Sequence, residues 1–179
     1  SQMVHYASRG FVVAAADHPG LKLGDLLAFK FSSTLELDVK TLIELFQNDD
    51  PILSALKGKY NSKKLATIGH SRGGGVAAGF SDLAEVIIPM AAGGTTAGAA
   101  LKNSLILGGI DDKVGRYQGQ KQGYESAPGE ARLVGIKNAG HLAFSDLCML
   151  GGDKGSLPEI AKRHGVSNAQ FADTIWDGC

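Results

Sequence analysis

The sequence is poor in most of the features that usually narrow a protein's role. In 179 residues there are only 5 prolines, 1 tryptophan, 2 cysteines and 7% aromatics. So little cysteine rules out both a disulfide-stapled miniature fold and a cysteine-rich zinc module. Basic and acidic residues balance at 18 each, so the formal net charge is zero. No block of one sign occurs, which argues against nucleic acid or an anionic membrane surface as a partner. No apolar run approaches the ~18 residues a membrane-spanning helix needs. Ser1 to Gly10 also lacks the apolar centre of a signal peptide.

Glycine, by contrast, is abundant, at 25 residues, in a chain that is 44% hydrophobic. A glycine excess without a repeat, among plentiful aliphatic residues, signals tight turns and close backbone contacts rather than disorder. The length fits one domain, residues 1–179, with enough chain to bury a substantial core. Cys148 and Cys179 could pair, which would fit an oxidising, secreted or periplasmic setting, or could stand as unrelated thiols.

Along the chain, short apolar runs alternate with helical patterns. Phe11 to Ala16 reads as a strand ending at Asp17-His18-Pro19-Gly20. Leu35, Val39, Leu42, Ile43 and Phe46 form a helical stripe that Asp49-Asp50-Pro51 stops, and Ile52 to Leu56 reads as a further short helix. Leu65 to Ile68 is a second strand, followed by a small-residue helix from Arg72 to Phe80. Val86 to Ile88 is a third strand, closed by Pro89, and Leu105 to Leu107 a fourth. Gln118 to Ser126 is helical, Ala131 to Ile136 is a fifth strand, and Pro158 to Trp176 is mostly helical. Strands separated by helices predict an α/β fold with a mostly parallel sheet covered on both faces in three layers. Ligand sites in such sheets lie beyond the carboxyl ends of the strands.

Gly69-His70-Ser71-Arg72-Gly73 matches G-x-S-x-G. In so glycine-rich a chain, roughly one shuffled sequence in four would contain it, so the motif alone is weak. Its context is stronger, because a strand runs into it and a helix leaves it, as a nucleophile elbow requires. A serine in so tight a turn needs neighbours without side chains, and Gly69 and Gly73 are expected to give that room. Gly74, Gly75 and Gly79 are expected to let the helix approach the strand. The spacing does not fit a phosphate-binding G-x-x-x-x-G-K-[ST] loop.

Asp111 and Asp112 follow the fourth strand, where a carboxylate can orient a histidine, and either could serve. His141 lies just after the fifth strand. It is the only histidine both after these acids and at a strand's carboxyl end. His164 reads as a helix C-terminal residue. His70 flanks the serine and His18 ends the first strand; both are candidates for lining a substrate site. The chain order serine, aspartate, histidine is that of α/β-hydrolases and differs from the other two common orders.

These residues carry a resemblance. Arg9 to Gly20, Gly69 to Gly74, Leu107 to Asp112 and Ala139 to Asp146 resemble segments of α/β-hydrolases of the dienelactone hydrolase, chlorophyllase and platelet-activating-factor acetylhydrolase group. In that group the catalytic aspartate lies three residues after a glycine, and counting from Gly109 selects Asp112. The resemblance implies a serine esterase with Ser71 as nucleophile, His141 as base, Asp112 as acid and the backbone N–H of Arg72 in the oxyanion hole. It implies a small-molecule ester substrate and no metal or organic cofactor. Dienelactone hydrolases proper use a cysteine nucleophile, so Ser71 favours ordinary ester hydrolysis. The same three groups would also support acyl transfer or lactone or amide hydrolysis. A catalytically inactive chain of hydrolase ancestry is the alternative of another class. The segment from Pro89 to Asn103 is too short for a large lid, which fits small, accessible esters. Members of the group have further strands upstream, and a loop there donates the second oxyanion N–H. The expectation is therefore an N-terminally incomplete or processed sequence with an exposed sheet edge, short of a donor whose loss typically costs ~10²–10³ in rate.

Overall fold

The computed structural model describes residues 2–19, 34–93, 100–149, 152–165, 174, 176 and 179. They divide into two compact units, Ser1–Leu65 and Ala66–Cys179.

In the first unit, helix α1 spans Gln2–Ala7 and helix α2 spans Leu35–Gln47. The expected stripe on α2 is real, and it buries Leu35 and Ile43. A 3-10 helix, Pro51–Leu56, begins at Asp50, whose carboxylate accepts from the Ile52 N–H at 2.9 Å. Phe11 to Ala16 is not a strand, which corrects the sequence reading. It carries no regular structure, no described strand pairs with it, and Phe11 is 63% exposed. Strand propensity reflects packing on a pleated surface, and without a partner ladder it stabilises nothing.

The second unit is built on four parallel strands in the order β1 (Ala66–His70), β2 (Val86–Met90), β3 (Asn103–Gly109), β4 (Glu130–Ile136). Helix α3 (Arg72–Ala78) packs on β1 and β2, and α4 (Tyr117–Glu125) on β3 and β4. The core centres on the two inner strands, where Ile87 and Ile106 are fully buried, with Ala77 and Ala78 from α3. Burial alternates along β3 between buried and half-buried residues, and no residue of β4 is buried.

Pro89 does not close β2 as expected but lies inside it, fully buried. The β2–β3 register pairs Ile87 with Ser104 and resumes at Met90 with Leu107, skipping Ile88 and Pro89. Proline has no N–H to give, and the ladder tolerates the gap because it re-forms two residues later, where the Ala91 N–H donates to Leu107.

Helix α5 spans Leu157–Arg163, and residues 166–173 of the expected C-terminal helix lie outside the described ones, as do residues 94–99 of the segment between β2 and β3. Cys148 and Cys179 form a disulfide. Among the described residues no helix is long and apolar enough to cross a membrane.

Candidate active site

Ser71, Asp112 and His141 each follow the end of a different strand: β1, β3 and β4. The turn after β1 is the tightest of the three. Ser71 adopts φ 54° and ψ −123°, a left-handed φ that costs a non-glycine residue of order 1–3 kcal/mol. Its own backbone holds it there. Its N–H donates to the Met90 carbonyl at 2.8 Å, while its carbonyl accepts from Gly74 and Gly75 at 2.9 and 3.2 Å. Thr67 Oγ1 donates to Ala77 at 2.9 Å and fastens α3 to β1.

The glycines around the serine divide into two kinds. A Cβ on Gly69 would overlap the Gly73 carbonyl, and one on Gly74 would overlap the Ala92 side chain. Gly73 and Gly75 would meet no described atom within 4 Å, and Gly79 only the Val76 carbonyl at 3.2 Å. Of the expected close approaches, those at Gly69 and Gly74 are therefore the necessary ones. Gly69→Ala should lower stability by about 3 kcal/mol, because backbone must move to admit the methyl. Gly75→Ala, exposed on α3, should raise it by roughly 0.5–1 kcal/mol through helix propensity. Thermal melting of the two variants checks the pair, and equal melting temperatures would contradict it.

The loops after β3 and β4 lie backbone against backbone. Ile110 N–H donates to Ile136 at 2.9 Å and Asp111 N–H to Ala139 at 3.1 Å, and a Cβ on Gly109 would overlap the Ala139 carbonyl. Asp112 is buried. Its Oδ1 accepts from the Val114 and Gly115 N–H groups at 2.8 and 2.7 Å, an arrangement that fixes the carboxylate plane. Gln120, from α4, donates through Nε2 to the Gly115 carbonyl and braces the same loop. Asp111 is exposed.

His141 opens a single turn of 3-10 helix, His141–Phe144, and is also buried. Its Nδ1 lies 2.9 Å from Asp112 Oδ2, and its Nε2 lies 2.9 Å from Ser71 Oγ. A carboxylate only accepts, so Nδ1 carries the proton and Nε2 presents a lone pair to the serine hydroxyl. Arg72 is the first residue of α3, so its N–H has no partner within the helix and points from the same turn as Ser71.

Of the other predicted residues, His70 ends β1 and its Nε2 lies 2.7 Å from the His141 carbonyl. Burial lowers its proton affinity, opposed by that bond and by Asp112 and reinforced by His141. His18 belongs to the first unit, where its Nδ1 lies 2.9 Å from Asp38 Oδ2. The bracing by Val114, Gly115 and Gln120 was not anticipated. The aspartate-x-x-glycine spacing of Asp112 and Gly115 carries a turn signal for the first two. Gln120 has no comparable local signal.

A parallel sheet with a serine on a strained strand–turn–helix and the order serine, aspartate, histidine defines an architecture, the α/β-hydrolase fold, and a solved structure shares it. The chain aligns with MGS-M1, an alpha/beta hydrolase enzyme from a Medee basin deep-sea metagenome library, over 98% of this chain and 76% of that one, at 13% identity and TM-score 0.56. It also matches an alpha-beta serine hydrolase homologue from Coxiella burnetii over 73% of this chain and 56% of that one, at 14% identity and TM-score 0.42. The chain thus matches little more than half the length of the Coxiella protein. No protein-family model and no curated protein matches the sequence.

Proposed function

We propose that the chain is a serine hydrolase that cleaves carboxylic esters through an acyl-enzyme intermediate. The observation that carries this reading is the continuous hydrogen-bonded line Ser71 Oγ, His141 Nε2, His141 Nδ1, Asp112 Oδ2, with both links at 2.9 Å. A fold shared with a hydrolase enzyme supports the class.

His141 takes the Ser71 proton as Oγ attacks the ester carbonyl carbon. The carbonyl π pair moves to oxygen, and the Arg72 N–H donates to the oxyanion. Collapse of the intermediate expels the alcohol, which receives its proton from His141. A water molecule, deprotonated by the same imidazole, then attacks the acyl carbon and frees Ser71. Asp112 stays ionised throughout and stabilises the imidazolium.

The test is covalent. An alkyl fluorophosphonate should add to one residue, Ser71, as read by peptide mass spectrometry, and adduct formation should abolish hydrolysis of 4-nitrophenyl acetate. Absence of both labelling and turnover would refute the proposal.

A further inference from the structure

His70 has no role in the chemistry just described, yet it touches the base. It is the last residue of β1, directly before Ser71, and its Nε2 lies 2.7 Å from the backbone carbonyl of His141. A carbonyl only accepts, so His70 carries its proton on Nε2 and donates it there. The two imidazoles are 4.9 Å apart between ring centroids, tilted by 48°, and the ring of Phe144, in the same turn as His141, is 6.3 Å away.

We propose that His70 is a positioning residue for the base, its Nε2–H clamping the His141 main chain at the height where the imidazole meets Ser71. The inference rests on the serine hydrolase reading. His141 sits after β4, at the opposite side of the four-strand order from β1, and only a single 3-10 turn carries it. The bond to Asp112 fixes the rotation of the imidazole about its Nδ1 side. It does not fix the approach of Nε2 to a hydroxyl on another strand. The His70 clamp supplies that second point, and from the residue adjoining the nucleophile. Any displacement at the end of β1 then carries hydroxyl and clamp together, and the 2.9 Å contact is preserved. Burial favours the neutral form of His70. The clamp therefore adds no like charge beside His141 when that ring takes the serine proton.

Two substitutions separate the donor from the ring. His70→Phe keeps a half-buried aromatic and removes the N–H, whereas His70→Gln returns an amide N–H close to the position of Nε2. His70→Phe should lower kcat by about 10–100-fold with KM nearly unchanged, because misplacement of a reacting group acts on the chemical step. His70→Gln should restore most of that loss. Equal losses in both variants, or a loss confined to KM, would overturn the proposal.

Nuclear magnetic resonance reads the clamp without turnover. In the unmodified protein ¹⁵N-labelled His70 should be protonated at Nε2 alone. The downfield Nδ1 proton of His141 should broaden or shift in His70→Phe and persist in His70→Gln. A His70 protonated at Nδ1, or a His141 signal indifferent to His70→Phe, overturns the clamp even in a protein that hydrolyses esters. Failure of phosphonate labelling overturns the hydrolase reading instead.

Discussion

Ser71→Ala should lower kcat for a short-chain ester by about 10⁶-fold while leaving KM nearly unchanged, the scale on which losing a nucleophile acts elsewhere. The substitution removes one atom, Oγ, and with it the group that lies 2.9 Å from His141 Nε2. It leaves the turn alone. Alanine has the same Cβ at φ 54°, and every bond holding the turn is a backbone bond: Ser71 N–H to Met90, and Gly74 and Gly75 N–H to Ser71. The melting temperature should therefore stay where it is, which separates loss of chemistry from loss of fold. Steady-state kinetics and calorimetry on the two proteins decide it. A kcat within tenfold of the unsubstituted chain would remove Ser71 from the reaction.

Asp112→Asn should lower kcat by about 10⁴-fold, and the geometry says why. The Val114 and Gly115 N–H groups need an acceptor, so the amide must turn its oxygen toward them. Its NH₂ then faces His141 Nδ1, which can answer only as an acceptor. The ring is left with its proton on Nε2, the nitrogen that must receive the serine proton. Asp111→Asn, on an exposed side chain anchored through its backbone N–H to Ala139, should change kcat by about twofold or less. Parallel kinetics on both variants check the assignment, and a large loss at Asp111 with little at Asp112 would reverse it.

Much of this arrangement is legible in the sequence because it is local. The apolar runs behind β1 to β4 mark the parallel strands, and the places where they end mark where Ser71, Asp112 and His141 stand. Pro89 misleads, since the tolerance of β2 for a missing donor depends on its register with β3. Phe11 to Ala16 misleads for the opposite reason, a strand-like composition with no described partner. The glycines of the elbow read alike in sequence, and only the packed backbone distinguishes Gly69 and Gly74 from Gly73 and Gly75. The His70 clamp spans 71 positions along the chain, and the carboxylate bond to His141 spans 29. No local pattern encodes distances of that kind.

The backbone-to-backbone seams at Gly69, Gly109 and Gly115 also bear on how such a chain can change over generations. Where the spacing is set by main-chain bonds, it depends little on the side chains around it, those of Thr67, His70 and Gln120 apart. What drift cannot touch is a handful of positions where any side chain at all would force the strand ends apart. Selection there would act on an absence, and the register of Ser71, Asp112 and His141 depends as much on these bare positions as on the three side chains themselves.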